Sequence, residues 1–257
     1  MILKCENLSS GYDGESVLEN MNFEINEGEL WCILGANGIG KSTLFKTILG
    51  LLKPVKGTIK FRDKELDKWS RKELAKIVSY VPQSHIPPFP YKVMDVLMMG
   101  RNPFQSSWGT VRQKDLDIIN ETIEKLEIKD LADRTYTQLS GGERQLVLLA
   151  RAIVQDTPLM ILDEPVSNLD FGNKAKVIEI IRNLVKNGKS IIMTTHEPDH
   201  AFINSCNVII IQGKNEVYSG EGKDIVDEKC INKMYNVNSR ILMDSECGQK
   251  TCIPIYK

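Results

Sequence analysis

A glycine-rich segment between an apolar run and an apolar helix constrains this chain more than any other feature. The segment Gly35–Ser42 follows the strand-like run Leu30–Leu34 and precedes a stretch with Leu44 and Ile48 at helical spacing. Glycines allow successive backbone N–H groups to turn inward, where the positive end of the following helix also points. A glycine-rich turn without a ligand would not require this placement between strand and helix. The segment therefore predicts a phosphate-binding loop.

Two side chains at the end of this loop extend the prediction. The Lys41 ammonium is expected to meet β- and γ-phosphate oxygens, and the Ser42 hydroxyl is placed to bind Mg²⁺. A nucleoside triphosphate and Mg²⁺ are accordingly the predicted cofactors. The loop residues predicted to contact the nucleotide are Gly35, Ala36, Asn37, Gly38, Gly40, Lys41 and Ser42.

Composition excludes some classes of partner. The chain has 257 residues, of which 33 are Lys or Arg and 34 are Asp or Glu, so the charges nearly cancel. Such a balance gives no overall basic field for nucleic acid or anionic lipid.

The N-terminal residues Met1–Glu6 are too charged for a signal peptide, and no apolar run reaches membrane-spanning length. A cytoplasmic protein is expected.

The cysteine pattern favours free thiols. The six cysteines show no paired C-x-x-C spacing, and in a reducing compartment such residues remain reduced. Cys247 and Cys252 could instead bridge or hold a metal, although no histidine or third cysteine is close in sequence.

The order of apolar patterns predicts an α/β protein. Alternating residues in the first thirty positions and in Gly57–Arg62 indicate an antiparallel flap. The segment Asp115–Glu127 has helical spacing and indicates an inserted, mainly helical lobe at about residues 87–152. Residues 1–86 and 153–257 then form the core, whose short apolar runs suit a mainly parallel sheet.

Polar residues follow two of these buried runs. Asp163 and Glu164 come directly after Leu159–Leu162, and His196 follows Ser190–Thr194. Ligands of parallel sheets bind beyond the carboxyl ends of the strands, where the phosphate loop also lies. Asp163 is therefore predicted to orient the Mg²⁺ shell and Glu164 to polarise the attacking water. The alternative for the carboxylates is a helix cap or a solvated face, and a lone histidine is usually structural.

A second diagnostic sequence is Leu139–Glu143. Ser140 and Glu143 have capping-box spacing, so a helix is expected to begin at Ser140. An ordinary cap gives no reason for Gly141 and Gly142, which weaken a first helical turn. An exposed helix N-terminus with these glycines predicts an anion-binding site.

Taken together, these motifs resemble the ATP-binding subunits of ABC transporters, over nearly the whole chain. The ordered set is Tyr12, Gly35 to Thr43, Gln83, Leu139 to Gln145, Asp163-Glu164, Ser167 to Asp170 and His196. The resemblance implies a P-loop NTPase core, nucleotide contact by Thr43, and stacking of adenine on Tyr12. For Tyr12, a packing role in a plain turn stays open.

The same resemblance assigns further roles. It implies that Gln83 senses Mg²⁺ and the γ-phosphate, and that His196 holds the γ-phosphate and the attacking water. It also implies a homodimer around two ATP molecules. In that dimer Ser140, Gly141 and Gly142 would contact ATP on the opposite subunit, and Asp170 would lie across the same interface.

A proline-rich, aromatic segment follows Gln83. The segment 87–91 contains three prolines with Phe89 and Tyr91, so it is expected to be a loop whose aromatic residues mark a contact surface. Phe89 could instead fold onto its own lobe. The segment is similar to importer subunits for iron-siderophore, haem, cobalamin or molybdate, which implies peripheral attachment to membrane permeases and an indirect substrate-binding protein.

Three other functions stay open at this point. A zinc or manganese importer is the first. The second is a soluble ABC ATPase of DNA maintenance or translation, but such proteins usually carry a coiled-coil insertion or duplicated motifs. The third is a regulatory module without hydrolysis, which the intact Glu164 and His196 disfavour.

Overall fold

The computed structural model describes residues 1–83, 89–105, 112–167, 169–203, 206–246 and 248–256. Residues 84–88, which include Pro87 and Pro88 of the proline-rich segment, lie outside the described residues, as do Asn168 and Cys247. The β-strands are β1 Leu3–Tyr12, β2 Glu15–Ile25, β3 Leu30–Gly35, β4 Lys56–Phe61, β5 Lys64–Glu65, β6 Val78–Val81, β7 Leu159–Leu162, β8 Ser190–Thr195, β9 Cys206–Gly213, β10 Glu216–Glu221, β11 Ser239–Met243 and β12 Lys250–Pro254. The α-helices are α1 Lys41–Ile48, α2 Arg71–Leu74, α3 Val93–Met99, α4 Gln113–Leu126, α5 Gly141–Val154, α6 Phe171–Lys186, α7 Gly222–Ile225 and α8 Glu228–Tyr235.

The chain forms two compact units. Unit 1 comprises Met1–Trp69 with Ser190–Lys257, and unit 2 comprises Ser70–Lys189. The predicted helical lobe, residues 87–152, falls inside unit 2, which also includes β6, β7 and α6. The lobe boundaries themselves stay a prediction.

Unit 1 contains the predicted antiparallel flap. Its strands follow the order β2-β1-β4-β5, with Leu3 of β1 opposite Ile25 on one side and Phe61 on the other. These three side chains are fully buried. In β2, Met21, Phe23 and Ile25 are buried while Asn22 and Glu24 between them are exposed, so alternating residues place one face of this strand in the core.

A second sheet of unit 1 positions the phosphate loop. Its strands follow the order β10-β9-β3-β8, and β3 pairs in parallel with both β8 and β9. Every residue of β3 and β8 is buried, as strands covered on both faces require. Leu34 of β3 lies opposite Thr195 of β8. The residues that follow these two strands therefore leave the sheet at the same edge.

Unit 2 combines a parallel strand pair with helices. Strands β6 and β7 pair in parallel with Val81 opposite Leu162, and α5 packs against α3 and α4. The predicted helix at Asp115–Glu127 is present as α4. An ion pair of 2.8 Å between the buried Arg101 and Asp115 joins the end of α3 to the start of α4. The predicted α/β fold is thus confirmed.

Candidate nucleotide-binding site

The phosphate loop begins where β3 ends and stops where α1 begins. Gly38 and Gly40 have φ angles of 79° and 112°, a region that side chains with a Cβ rarely enter. Gly40 is the N-cap of α1 and supplies no side chain to satisfy the first helical N–H groups. These groups are available to an anion at the positive end of the helix.

The ammonium group of Lys41 lies within the phosphate loop. The residue is only 6% exposed, and its ammonium donates to the carbonyl oxygens of Gly35 at 2.7 Å and Ala36 at 3.1 Å. A buried ammonium needs such oxygen partners. The loop carbonyls therefore hold the lysine where the sequence predicted a phosphate contact.

Tyr12 lies in the same unit as the loop. Its ring is 46% exposed, and its phenolic oxygen accepts a hydrogen bond of 3.4 Å from the Thr43 hydroxyl. A cavity of ≈ 390 Å³ is lined by Tyr12 with Gly11–Gly14 and Leu52–Val55. An exposed aromatic face beside a cavity is the geometry that base stacking requires.

His196 follows the buried Thr195 at the end of β8 and is itself half-buried. Leu34 and Thr195 are register partners. Unit 1 therefore brings His196 and the start of the phosphate loop to one sheet edge, as predicted from their positions after the carboxyl ends of parallel strands.

The two acidic residues after β7 are buried. Asp163 is 3% exposed and Glu164 is 9% exposed, which is rare for carboxylates without a specific role. Glu164 has a φ of 48°, a left-handed conformation that is uncommon for a residue with a long side chain. Backbone strain of this kind concentrates at functional sites. These observations disfavour the alternative of a solvated acidic face.

Gln83 and Glu164 are in direct contact within unit 2. The Gln83 amide nitrogen donates to a Glu164 carboxylate oxygen at 2.9 Å. The sequence predicted a catalytic role for each residue but gave no reason to expect this hydrogen bond. The contact fixes the orientation of the carboxylate that is predicted to polarise water.

Tyr80 is a neighbour of Asp163 that the sequence analysis missed. Its hydroxyl donates to Asp163 at 3.5 Å. Burial, together with the negative charge of Asp163, raises the pKa of Tyr80, so the phenol stays neutral. Parallel pairing of β6 and β7 creates this contact, which no spacing within one segment of the sequence could indicate.

Helix α5 begins as the capping-box prediction states. Ser140 is the N-cap, its hydroxyl accepts from the Glu143 N–H at 3.2 Å, and the Glu143 carboxylate accepts from the Ser140 N–H at 2.7 Å. Ser140 and Gly141 are exposed. The helix N-terminus is consequently accessible from solvent, as an anion site requires.

Asp170 caps α6. One carboxylate oxygen accepts from the Asn173 N–H at 2.9 Å, and the other accepts from the Asn173 side chain at 2.7 Å. These hydrogen bonds lower the pKa of Asp170. The next residue, Phe171, is 90% exposed. The cap explains Asp170 locally, and its predicted contact with a second subunit stays a prediction.

The described geometry defines a P-loop nucleotide-binding protein with an α/β fold. The family model described as "ABC transporter" matches residues 18–167, and this chain belongs to the ABC transporter family. It is an ATPase of that family, whose ATP hydrolysis is coupled to transport.

Two curated relatives align over nearly the full length. An uncharacterized ABC transporter ATP-binding protein of Haemophilus influenzae is 41% identical over 242 residues, covering 94% of this chain and 92% of the relative. The molybdate import ATP-binding protein MolC of the same organism is 32% identical over 237 residues, covering 91% and 88%.

A solved structure is similar along the whole chain. It is an inward-facing conformation of a putative metal-chelate type ABC transporter, with a TM-score of 0.86 and 29% identity, covering 100% of this chain and 98% of that one. In the part of this chain that the structure describes, no helix is long and apolar enough to cross a membrane.

Proposed function

We propose that this chain is the ATP-hydrolysing subunit of an ABC importer for a metal chelate or a related oxyanion. The observation that carries the catalytic assignment is Glu164, a buried carboxylate with a left-handed backbone that accepts a hydrogen bond from Gln83. A general base needs both a fixed orientation and a position behind the reacting phosphate. Burial and the Gln83 amide support the first requirement.

The residues of unit 1 would bind the nucleotide. Lys41 and the N–H groups at the start of α1 would meet the β- and γ-phosphate oxygens, and His196 would hold the γ-phosphate. The exposed ring of Tyr12 would stack on the base. Lys41 must exchange its bonds to the Gly35 and Ala36 carbonyls for bonds to phosphate, which are stronger because both partners are charged.

The predicted ligands for Mg²⁺ are Ser42, Gln83 and Asp163. A hydroxyl, an amide oxygen and a carboxylate are hard oxygen donors of the kind that Mg²⁺ prefers, so the donor set fits this ion. Bound Mg²⁺ would neutralise phosphate charge. The neutral Tyr80 hydroxyl would then keep the Asp163 carboxylate oriented.

Assembly would place two copies around two ATP molecules. The exposed start of α5, with Ser140, Gly141 and Gly142, would contact ATP bound to the second copy, and Asp170 would lie across the same interface. Capping of α5 by Ser140 and Glu143 supports this proposal, because it leaves the helix N-terminus ordered and accessible.

The transported molecule is proposed from similarity. One relative is a molybdate import ATP-binding protein, and the similar solved structure is described as a putative metal-chelate type transporter. We infer that this subunit attaches peripherally to the cytoplasmic face of a membrane permease that receives its cargo from a substrate-binding protein. Iron-siderophore, haem, cobalamin and molybdate are the candidate cargoes.

Hydrolysis by a Glu164→Gln variant tests the catalytic proposal. We expect ATP binding close to wild type and hydrolysis at least ~10²-fold slower, because the general base is lost. Glu179→Gln is a matched control on the exposed surface of α6 and should hydrolyse at the wild-type rate. Hydrolysis by Glu164→Gln at the wild-type rate would contradict the assignment.

Cargo is tested with the complete transporter. The subunit, its permease and its binding protein are reconstituted in vesicles, and uptake of radioactive molybdate and of an iron-siderophore is measured with ATP enclosed on the subunit's side. Uptake of either one identifies the cargo class. Uptake of free zinc or manganese instead would replace the proposed class.

A further inference from the structure

The backbone on both sides of His196 is held by one buried side chain. Thr195 precedes His196 and Glu197 follows it, and both contact the imidazole of His200. Thr195 is 3% exposed and His200 is 7% exposed. His200 lies in the 3₁₀ turn Pro198–Phe202, which returns its ring to the end of β8.

The contacts form a short series of two hydrogen bonds and one longer polar contact. The Glu197 N–H donates to the Thr195 hydroxyl oxygen at 3.0 Å. The same hydroxyl lies 2.7 Å from Nδ1 of His200, and Nε2 of His200 lies 3.5 Å from the Glu197 carboxylate. These contacts therefore connect the residues on both sides of His196. Glu197 takes part through both its backbone N–H and its carboxylate.

The groups that face the His200 ring determine which of its nitrogens carries the proton. A contact between Nε2 and the Glu197 carboxylate places the proton on Nε2, because a carboxylate only accepts. Nδ1 is then the acceptor for the Thr195 hydroxyl, which still accepts from the Glu197 N–H. With these assignments each donor faces an acceptor, and the contacts together hold the backbone on both sides of His196 in this conformation.

His200 is itself anchored to the strand that leads into the phosphate loop. The thiol of Cys32, on β3, contacts the His200 carbonyl oxygen at 3.5 Å. Burial, reinforced by the neighbouring Cys206, raises the pKa of Cys32, so the group remains a thiol and donates. Cys32 is three residues before Gly35, so His200 joins the segment around His196 to the base of the phosphate loop.

Strand β12, which pairs with β11 in an antiparallel hairpin, also contacts the turn that carries His200. Asp199 accepts from the Cys252 N–H at 2.6 Å and from the Thr251 hydroxyl at 3.0 Å, both in β12. The Lys250 ammonium lies 5.6 Å from the centre of the Phe202 ring. The turn that carries His200 is therefore fixed to β8, β3 and β12.

We infer that His200 is a positioning residue for ATP hydrolysis, which holds His196 in place through the Thr195 hydroxyl and Glu197. The inference rests on the proposed contact between His196 and the γ-phosphate. Displacing a reacting group by about 1 Å can cost 10²-fold in rate, so a partial loss of alignment has a measurable effect even when the fold is intact.

Thr195→Val tests this inference because the two side chains have nearly the same shape. We expect kcat for ATP hydrolysis to fall by about 10-fold or more, with KM for ATP changing by less than about twofold. Thr195→Ser keeps the hydroxyl and should hydrolyse near the wild-type rate. His200→Leu should behave like Thr195→Val, whereas His200→Asn restores an acceptor near the Nδ1 position and should recover part of the rate.

A double-mutant cycle separates positioning from general stability. In a His196→Ala background, Thr195→Val should change the remaining rate by less than about twofold, because its effect acts through His196. An undiminished kcat for the Thr195→Val single variant, or the same further loss in the His196→Ala background, would overturn the inference. Hydrolysis at the wild-type rate by His196→Ala alone would instead overturn the proposed role of His196.

Histidine ¹⁵N NMR on the nucleotide-free protein gives a readout that does not depend on activity. The expected spectrum has the His200 proton on Nε2, and the Nδ1 resonance should shift in Thr195→Val but keep its wild-type position in Thr195→Ser. A proton on Nδ1 in the wild-type protein would overturn the proposed chain of hydrogen bonds.

Discussion

Lys41 and Lys46 share one short helix but differ in burial. Lys41 is buried against the loop carbonyls, whereas Lys46 is exposed. We predict that Lys41→Ala weakens ATP binding by about 10- to 100-fold, the effect of losing a charged hydrogen bond worth ~1.5–3 kcal/mol. Lys46→Ala should bind normally. Titration with a fluorescent ATP analogue measures both affinities, and equal affinities for the two variants would contradict the assignment of Lys41.

Local structural features could be predicted where neighbouring residues in the sequence define them. The phosphate loop, the Ser140 cap and the buried Asp163 and Glu164 all follow from local patterns, and the structure contains each of these features. Contacts between distant segments could not be predicted. Tyr80 reaches Asp163 only through strand register, and His200 reaches Thr195 only because a 3₁₀ turn reverses the chain.

At the scale of single elements, we expect the stability of the start of α5 to depend on pH. Hydrogen bonds from the Ser140 N–H and hydroxyl, followed by the charge of Arg134, lower the pKa of Glu143. The folded state therefore binds this proton less tightly than the unfolded state. The stabilisation is complete above the ordinary pKa of about 4.3 and is lost as pH falls through the lower folded-state pKa.

Glu143→Gln tests this sign, because glutamine keeps the capping hydrogen bond but does not titrate. We predict that any stability advantage of the wild type over the variant is largest near neutral pH and shrinks below about pH 4. Urea unfolding at several pH values measures the difference. A wild-type advantage that grew on acidification would contradict the prediction.

At the scale of the whole molecule, we predict that assembly of two copies depends on the exposed start of α5. Glu164→Gln should retain ATP, and we predict that this variant shifts from monomer to dimer when ATP is added, whereas ADP has no such effect. Introducing Ser140→Arg into the Glu164→Gln variant should block this dimerisation, because the arginine side chain would fill the proposed shared anion site. Light scattering measures the change.

Ser70 offers the control for this substitution. It is the exposed N-cap of α2 and forms the same capping box with Glu73, so Ser70→Arg perturbs a comparable cap elsewhere. Dimerisation on ATP should survive Ser70→Arg. A dimer that also survived Ser140→Arg would argue against ATP shared between two copies.

For attachment to the permease we propose a different surface. Phe89 is 59% exposed, and its ring packs edge-on against Tyr91 at 5.9 Å between centroids. We predict that Phe89→Asp with Tyr91→Asp reduces recruitment to permease-containing membranes while ATP binding survives. The matched control is Tyr218→Asp, which alters an exposed aromatic residue of β10. Equal recruitment of the two proteins in a flotation assay would reject Phe89 and Tyr91 as docking residues.

Because Glu164 is the proposed general base, we expect its left-handed backbone to place the stability of the fold and the activity of the enzyme in conflict at this position. Glycine or asparagine adopts a φ of 48° at lower cost than glutamate, so either replacement should relieve local strain while removing the carboxylate. Variants selected only for resistance to heat would accumulate such replacements and become inactive. Directed evolution of this chain toward thermostability therefore needs a simultaneous selection for ATP turnover.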